Sequence, residues 1–552
     1  MARPLKTWLA AAGSGLLALS GTGFAQDRAP VSAQAPLPLA PQVKGARPIS
    51  NASVLAPAAT KLDPALQKLA APATLALPNK PEQVRIAELR PLSLREVENL
   101  AEVNNPNLKA LASQVDQAQS NLRAQIASWY PTLSLNVQNL PGYTGGNQRT
   151  TPDQNTPAQY TFTSRWDMGG QLSAQWALIN PQRVPQIAAA RDQFEQSKNQ
   201  YLIALRELRL QAAQAYFQLQ VSDESVRIGQ SSVRSSLVSL RDASARFQAG
   251  VATKLEVLEA ETQLARDQQL LTNALADQSV ARRDLARLLD LPQNLSPTAS
   301  EPLRPLGIWT SSLQESVIAA YAFREELDNA LLDISAANSQ ANSALGAVQP
   351  FLSIFNNLSG FRYDGAEQVI VDLPGRSGWA VENAIGLQAT WNLFDGGAAR
   401  AQYRQSKQKA QENAFRFADT RDRLRFEVEE SFYQLRQANR NIQTTSRQVL
   451  SSRESLRLAR LRFQAGVSTQ REVVDNQRDV TQAELAYAQA LAQYNDSLAK
   501  LRRRTGLDQV AVCQPSALPA TKPAGDSTET IPVPPEPLQP ACQAALAAKA
   551  AS

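Results

Sequence analysis

The sequence contains no histidine, and its 552 residues include two cysteines, Cys513 and Cys542. These absences exclude catalysis by Ser–His–Asp or Cys–His groups, and every zinc site that depends on histidine or on clustered cysteines. Glycine-rich phosphate loops and dinucleotide-binding loops are missing as well. The sequence therefore predicts a protein that is not an enzyme and that holds no cofactor and no metal.

The chain also lacks a large excess of positive or negative charge. The 56 lysines and arginines nearly balance 50 acidic residues, and the net charge of +6 is spread over the whole chain. Because nucleic-acid binding needs a concentrated basic patch, we expect no nucleic-acid partner. Aromatic residues make up only 6% of the chain, while alanine, glutamine, leucine and arginine dominate two long segments. This composition favours long amphipathic helices over a thick globular core.

No apolar run in the sequence is long enough to cross a bilayer as a helix, which takes about 20 residues. The N-terminal run, Trp8 to Leu19, has 12 residues and follows Arg3 and Lys6. A small-x-small cleavage signal, Gly23-Phe-Ala25, comes after it. This pattern predicts a secretory signal peptide over residues 1–25. The short run disfavours the alternative of a retained membrane anchor.

Proline is concentrated near the two ends of the chain. Ten prolines lie between Ala29 and Pro81, and eight lie between Pro515 and Pro540. Such segments bury too little apolar area to offset the entropy of ordering. We therefore predict a disordered linker over 26–91 and a disordered tail over 508–552. The two cysteines of the tail could pair in an oxidising compartment.

Proline is absent between Pro185 and Asp290 and again from Ala398 to Thr505. Apolar residues in both segments step by three and four, which is typical of helices with one apolar seam. The arm from Pro185 to Gly250 would be roughly 100 Å long as a helix, so it must pack against partners along its length. The corresponding seam residues are Leu208, Ala212, Ala215 and Leu219, and, 216 positions later, Leu424, Val428, Ser431 and Leu435.

A twelve-residue stretch occurs twice, beginning at Arg246 and at Arg462, with nine identical positions. Each copy contains Ala-Gly-Val followed by Thr-x-x-Glu. Glycine is preferred just after a helix, and Thr-x-x-Glu is a capping box that starts the next helix. The pattern predicts tight helix–turn–helix corners at Gly250–Thr253 and Gly466–Thr469. The alternative is one helix that continues through a tolerated glycine.

Four segments alternate apolar and polar residues, as strands with one apolar face do. The predicted strands start near Pro131, at Gln171 after an exposed loop over 142–170, at Phe351 and at Ala384. Strands of about 8 to 11 residues can cross a membrane when tilted, but four are too few, because bacterial barrels begin at eight. Several chains must therefore share one barrel. The residues expected to face lipid are Trp176, Leu178, Trp391 and Leu393.

These elements form two repeats, predicted at 92–305 and 306–507. Each contains a helix pair, a strand, a loop, a second strand, a very long helix, a tip and a returning helix. Their motifs resemble the TolC-like outer membrane efflux protein (outer membrane factor) family over roughly Leu92 to Leu507. The resemblance rests on Asn105-Pro-Asn107, Trp129-Tyr-Pro131, the paired tips and the segment Trp391 to Gly397.

The resemblance implies a mainly α fold with short β segments that assembles as a homotrimer. In this architecture four strands per chain form a 12-stranded outer-membrane β-barrel, which continues into a long periplasmic α-helical barrel. The expected location is the outer membrane, with the chain extending into the periplasm. The implied function is the exit channel of a tripartite efflux pump or a type I secretion system. Its partners are a periplasmic adaptor (membrane fusion) protein, an inner-membrane transporter and outer-membrane lipid.

An alternative from another class is a periplasm-spanning structural coiled coil that tethers wall to membrane without transport. The alternating strands distinguish the two hypotheses, because a tether has no need of a β-barrel.

The resemblance also implies a pore gate formed by acidic residues at the periplasmic tips. By position these are Glu472 and Asp475 of the second repeat, with Glu256 and Glu259 as the first-repeat pair. Three copies of an acid around a narrow axis favour cations over anions. Both Glu256 and Glu472 also stand three residues after a threonine, so a capping box explains them without a gate. The sequence leaves both interpretations open.

Contact with the adaptor is implied at the glycine–valine pairs of the tips, which are Gly250, Val251, Gly466 and Val467. An exposed valine at a tip has no core to enter and suits a protein partner. The alternative is that each valine packs back on its own helix end, as apolar residues after such caps often do.

Overall fold

The computed structural model of this protein describes residues 59–150, 159–368, 376–507, 510–511 and 540–551, all within one compact unit, Val43–Ser552. The predicted signal peptide, 1–25, lies outside the described residues. The helices are α1 (Pro81–Val84), α2 (Leu94–Asn104), α3 (Pro106–Ile126), α4 (Arg183–Gln248), α5 (Lys254–Leu288), α6 (Leu313–Phe323), α7 (Glu325–Gly346), α8 (Ala398–Gln464), α9 (Gln470–Thr505) and α10 (Pro540–Ala551). The strands are β1 (Glu88–Leu92), β2 (Thr132–Thr150), β3 (Gln159–Ile179), β4 (Leu295–Ala299), β5 (Ile308–Trp309), β6 (Phe351–Gln368), β7 (Arg376–Thr390) and β8 (Val510–Ala511).

The two proline-free segments form helical hairpins, as predicted. Helices α4 and α8 contain 66 and 67 residues, so each is about 100 Å long. Helices α5 and α9 return along them. Gly229 allows α4 and α5 to approach closely, because a Cβ at this position would lie 3.2 Å from the Cα of Leu271. Among the described helices, none has the length and apolar composition needed to cross a membrane.

Side chains cap the first turns of the short helices α2 and α3. Ser93 and Glu96 form a reciprocal capping box at the start of α2. The Asn105 side chain caps α3 by accepting hydrogen bonds from the amides of Asn107 and Leu108. Its Nδ2 also donates to the carbonyl oxygen of Leu288 at 3.0 Å. The Asn-Pro-Asn motif therefore breaks the helix pair and ties it to the end of α5.

The long helices change neighbours halfway along their length. Near the strands the packing order is α3, α4, α7, α8, and towards the tips it is α5, α4, α9, α8. First-repeat helices thus stand at one end of each row, and α8 of the second repeat stands at the other. Each row of four helices therefore has α8 at one edge and a first-repeat helix, α3 or α5, at the opposite edge.

The four long strands form one antiparallel sheet in the order β2, β3, β6, β7. They contain 15 to 21 residues, so the predicted length of 8 to 11 was wrong. The loop predicted over 142–170 is largely strand, because β2 runs to Thr150 and β3 begins at Gln159. Polar and glycine residues there pair through their backbones, which needs no apolar alternation. The strand predicted over 384–394 starts earlier and ends at Thr390.

The sheet has one apolar and one polar face. Paired residues of neighbouring strands point to the same side, so the register assigns each side chain to a face. Exposed residues on the apolar face are Leu133, Leu135, Val137, Leu172, Trp176, Leu358, Trp379, Val381, Ile385 and Leu387. Residues on the polar face include Gln171, Ser173, Gln175, Asn357, Ser359 and Glu382.

Part of the predicted disordered linker is ordered. Pro64–Leu69 forms a 3-10 helix whose Leu66 and Leu69 are buried in the core beside α2 and α4. The Asn104 side chain donates to the carbonyl oxygen of Leu69 at 2.8 Å. Strand β1 pairs in parallel with β4, from the crossover between the repeats. The expectation of disorder is therefore wrong from residue 59, because these few leucines find an apolar surface on the first repeat.

Part of the predicted disordered tail is ordered as well. Strand β8 pairs with β5, and α10 packs on α8. Ala541 is buried, and its amide donates to the Asn439 side chain at 3.1 Å. Cys542 is buried and disulfide-bonded. The other cysteine of the chain, Cys513, lies outside the described residues.

A buried charged cluster joins four helices where α9 ends and α7 begins. Arg324 contacts Glu326 and Glu427, each at 2.6 Å, and Arg206 contacts Glu325 at 2.6 Å. Glu325 and Glu326 lie in the first turn of α7, and the arginines of α9 lie in the last turn of that helix. Both positions are favourable because they oppose the charges of the helix dipoles. Burial alone would raise the pKa of Glu326. The hydrogen bond and charge of Arg324, together with Arg503, outweigh this effect and lower its pKa to about 2.

Candidate functional site

The repeated twelve-residue stretches form the two hairpin tips, as predicted. Gly250 and Gly466 have positive φ angles of 75° and 76°. The amide of Gly250 donates to the carbonyl of Phe247, and that of Val251 donates to Arg246, both at 3.0 Å. The second tip repeats this pattern. These paired bonds are the Schellman motif that ends helices at glycine, so the alternative of one continuous helix is wrong.

The tip valines point into solvent. Val251 is 66% exposed and Val467 is 67% exposed, among the most exposed aliphatic side chains of the helical region. Schellman motifs often pack the residue after the glycine against the preceding turn. Here that packing is not made, so the two valines are not fixed within their own hairpins. Gly250, Val251, Gly466 and Val467 together form the outermost surface of the two corners.

The acids that follow the two tips have different local roles. Glu256 accepts a hydrogen bond from the amide of Thr253 at 3.3 Å and completes a capping box. Glu472 turns away from Thr469. Its carboxylate accepts from Arg462 Nη1 at 2.8 Å and from Ser468 Oγ at 2.6 Å. The capping interpretation is therefore correct for Glu256 and wrong for Glu472.

Two contacts that the first tip does not make accompany this change. Ser468 occupies the position of Ala252, and its hydroxyl gives the carboxylate of Glu472 a donor outside the cap. Arg462 supplies the positive partner in an exposed ion pair of 2.8 Å. The sequence displays the substitution, but its effect on the glutamate depends on the side-chain geometry.

The other two predicted gate residues lie one turn further along the returning helices. Asp475 is half-exposed between Arg471 and Arg478, at 3.9 Å and 3.3 Å. Glu259 is partly buried on α5, and no ion pair of Glu259 occurs within the described residues. The two pairs of acids thus stay on separate hairpins, and only the second pair is surrounded by arginines.

A contact that sequence reasoning missed holds the two hairpins together. Arg246 of the first tip donates from Nη1 to the carbonyl oxygen of Phe463 at 3.0 Å. Its guanidinium carbon also lies 4.3 Å from the centroid of the Phe463 ring. Phe463 belongs to the small core of the second hairpin, with Leu456, Val473 and Val480. We call this contact between Arg246 and Phe463 the tip latch.

A groove of about 880 Å³, lined by both polar and apolar side chains, extends above the tip latch between α4, α8 and α9. Ser235 donates to Gln477 Oε1 at 2.7 Å, and Arg460 donates to the same oxygen at 2.8 Å. Ser232 and Thr481 share a hydrogen bond of 3.1 Å further up. These contacts are hydrogen bonds rather than apolar packing, so water can replace them if the hairpins separate.

The predicted lipid-facing residues lie at the helical ends of the strands. Trp176 and Trp391 have equivalent environments, because each indole donates to a backbone carbonyl just before a strand, that of Trp129 at 2.9 Å and that of Val348 at 3.1 Å. Leu178 lies at a bulge of β3. Trp391 and Leu393 follow β7 instead of belonging to it, which corrects the prediction, and both are exposed.

No group of three or more potential metal-binding side chains occurs within the described ranges. The interactions at the tips are hydrogen bonds, ion pairs and one cation–π contact. All of these contacts are non-covalent, so they can break and re-form without a change in covalent structure.

The family model described as outer membrane efflux protein matches residues 97–290 and 319–507. Among curated relatives, the pyoverdine export outer membrane protein OpmQ of Pseudomonas putida is 26% identical over 280 residues, which is 49% of this chain and 56% of OpmQ. The toluene efflux pump outer membrane protein TtgC of Pseudomonas putida is 21% identical over 70% of this chain and 76% of TtgC.

Solved structures share the fold. A membrane protein from Pseudomonas aeruginosa has a TM-score of 0.60 and 21% identity, covering 79% of this chain and 98% of its own. The outer membrane protein VceC from Vibrio cholerae has a TM-score of 0.59 and 16% identity, covering 75% and 96%.

Proposed function

The chain belongs to the outer membrane efflux protein family, and from this premise we propose that it is the outer-membrane exit channel of a tripartite efflux pump or a type I secretion system. The family consists of transport conduits, so the chain is not an enzyme. In this proposal a homotrimer forms a passive duct that opens at its periplasmic tips. A periplasmic adaptor and an inner-membrane transporter complete the assembly.

This proposal rests mainly on the edges of the sheet and of the two helix rows, where one edge belongs to the first repeat and the other to the second. The sheet ends in β2 on one side and β7 on the other, and the helix rows end in first-repeat helices and in α8. In the proposed assembly, first-repeat edges face second-repeat edges of a second copy, and such a head-to-tail interface forms a ring when its rotation closes. Three copies give 12 strands, and four alone are too few for a barrel.

Helix α8 presents a second apolar face that supports this ring. Phe415, Phe426 and Tyr433 are 11 and 7 residues apart, so they share one side of the helix. They are exposed and lie opposite the buried seam of Leu424 and Val428. Towards the tips the opposite edge has exposed apolar residues too, Leu258, Leu275 and Val280 of α5, whereas Phe415 lies nearer the strands, where α3 forms that edge.

Aromatic residues support a membrane position for the sheet. Trp166 and Trp176 share the apolar face of β3 and are ten residues apart, which is about 33 Å along a strand. A strand tilt of about 40° reduces this to about 25 Å of height, the height of the apolar band of outer-membrane barrels. We propose that Trp176, Leu178, Trp391 and Leu393 lie near the periplasmic side of this band.

We propose that Glu472 and Asp475 line the closed end of the duct, with Glu256 and Glu259 beside them. Glu472 is free of capping duty, and its side chain is held by Arg462 and Ser468. Three copies of each acid around the axis attract cations and repel anions. Glu256 acts mainly as a cap. Removal of the second-repeat acids also leaves Arg462, Arg471 and Arg478 without these partners, so this removal should change the selectivity most.

Conductance of the purified trimer in planar bilayers tests the proposed function. The wild-type channel is expected to pass cations in preference to anions. In Glu472→Ala/Asp475→Ala the ratio of cation to anion permeability should fall several-fold, because six carboxylates leave the constriction. The matched control Glu256→Ala/Glu259→Ala should change this ratio less. Absence of any channel in all these proteins would contradict the proposal and favour the structural tether.

We propose that Gly250, Val251, Gly466 and Val467 contact the adaptor. Changing both valines to aspartate should weaken adaptor binding by at least about tenfold, because each buried apolar side chain contributes about 1.5–3 kcal/mol. The measurement is pull-down of the trimer with adaptors from the same source, after photo-crosslinking at Val251 identifies the partner. The control is Val184→Asp, an exposed valine at the opposite end of α4. Equal binding by the tip variant and the control would refute the assignment.

A further inference from the structure

Three aromatic residues break the pattern of the polar sheet face. Phe355, Phe361 and Tyr363 all belong to β6 and share a face with Asn357 and Ser359. Each is flanked by polar or small residues of β3 and β7 instead of an apolar neighbour. Because they do not belong to the apolar face, packing against lipid does not explain them. They extend over eight residues, about 26 Å along the strand.

The rings lie along the wall of the sheet. The residues of β7 paired with Phe355, Phe361 and Tyr363 are Gly386, Ala380 and Gly378. A Cβ on Gly378 would lie 2.6 Å from Cζ of Tyr363, and one on Gly386 would lie 3.0 Å from Cζ of Phe355. The rings of Tyr363 and Phe355 therefore lie over Gly378 and Gly386. A larger residue at either glycine would collide with the ring.

Two of the rings form a continuous surface. Phe361 and Tyr363 have ring centroids 6.5 Å apart and planes inclined by 21°, so their faces are nearly parallel. Phe361 is half-exposed although it lies in the middle of the four-stranded sheet. We call Phe355, Phe361 and Tyr363 the aromatic track. Flat rings beside one another offer a planar solute a stacking surface without narrowing the duct.

An arginine and two acids lie beside the aromatic track. Arg165 lies over Tyr363, with its guanidinium carbon 5.8 Å from the ring centroid. Asp167, two residues from Arg165 on the same face of β3, carries the opposite charge and accepts hydrogen bonds from the Asn139 side chain and from Thr144 Oγ1, the latter at 2.9 Å. Glu382 is exposed on β7, paired with Ser359 between Phe355 and Phe361, and it has no ion pair within the described residues.

We propose that the aromatic track binds planar aromatic cations as they leave through the barrel, an inference that rests on the proposed function because the polar face must line the duct. The rings stack on the planar solute, and their negative faces attract its charge. Glu382 supplies the counter-charge. The track thereby favours planar aromatic cations over aliphatic cations of equal charge.

Block of single-channel current by 1-methylquinolinium tests the proposal, with tetraethylammonium as the non-aromatic cation. The channel carries Arg246→Ala so that the tips do not limit the current. Phe361→Leu/Tyr363→Leu should raise the half-blocking concentration of 1-methylquinolinium about tenfold and change that of tetraethylammonium less. Glu382→Gln should raise both concentrations by a similar, smaller factor. Tyr143→Leu, on the apolar face, is the control and should change neither.

The outcomes separate the two proposals. A conducting channel whose block by 1-methylquinolinium is the same in the double variant would overturn the aromatic track alone. Absence of any current in the Arg246→Ala channel would overturn the proposed function, and the track with it. Size-exclusion chromatography identifies variants that fail to assemble. If the double variant fails, the single variants Phe361→Leu and Glu382→Gln are measured, and unchanged block in both overturns the track.

Discussion

Replacing Arg246 by alanine is expected to raise the open probability of the channel at least about tenfold. The tip latch joins the two hairpins through a charged hydrogen bond of 3.0 Å and a stacked guanidinium. A hydrogen bond to a charged group contributes about 1.5–3 kcal/mol, and about 1.4 kcal/mol changes an equilibrium tenfold. Any movement that separates the hairpins must break this contact, and in the proposed trimer it must do so once in each copy. Single-channel recording in planar bilayers measures the change.

Two variants show whether the effect belongs to the tip latch. Arg241→Ala removes the same charge from an exposed position of the same helix and should leave the open probability unchanged. Phe463→Leu removes the ring but keeps the carbonyl acceptor, so its effect should lie between wild type and Arg246→Ala. Equal open probabilities for Arg246→Ala and Arg241→Ala would show that the latch does not restrain opening.

Glu326→Gln is expected to lower the free energy of unfolding by about 3 kcal/mol. Glu326 lies 2.6 Å from Arg324 and 3.0 Å from Arg503, and all three side chains are largely buried. Removing one partner of a buried ion pair leaves a charge without compensation, which typically costs about 3–5 kcal/mol. Arg324 keeps Glu427 and Arg503 keeps Glu207, so the lower end of this range is expected. Denaturant unfolding followed by circular dichroism measures the difference.

The same carboxylate should make the stability depend on pH. Its pKa is about 2 in the folded chain and 4.5 ordinarily. Its contribution is fully present above pH 4.5 and is lost as the pH falls towards 2, by roughly 3 kcal/mol in all. Burial raises the pKa of the neighbouring Glu325 despite Arg206, so protonation of Glu325 opposes this loss. Glu326→Gln should flatten the dependence between pH 4.5 and 3.

An exposed ion pair provides the matched control for this prediction. Glu454 lies 2.6 Å from Arg457 on α8, and more than half of each side chain is exposed. Solvent screens such pairs, so Glu454→Gln should change stability by less than about 1 kcal/mol. If Glu454→Gln and Glu326→Gln destabilise equally, the buried cluster has no special role.

The sequence alone predicts the helical hairpins and their corners well, because their signals are local. A glycine after a helix and a capping threonine before the next one act within a few residues, as Gly466 and Thr469 show. The long seams repeat over many turns, so the boundaries of α4 and α8 fall within a few residues of the prediction. The sheet was predicted to be too short, because backbone pairing extends into polar segments without alternation.

Interactions between distant parts of the chain could not be predicted. Arg246 and Phe463 are 217 residues apart, and nothing around either residue indicates the other. Leu66 and Leu69 are two leucines in a proline-rich segment, and their burial depends on a surface made elsewhere. The role of Glu472 follows from Ser468 and Arg462 together, a geometry that spacing does not specify.

The difference between Ala252 and Ser468 also bears on the ancestry of the chain. In the proposed trimer, two repeats in each of three copies make six similar corners, as if one half-length gene had once supplied a six-fold ring. Duplication within a chain allows alternate corners to diverge without altering the others. One set of three can then remain a plain structural cap while the other acquires a charged role. In the proposed trimer, the hydroxyl of Ser468 is one of the features that distinguish the three second-repeat corners from the three first-repeat corners.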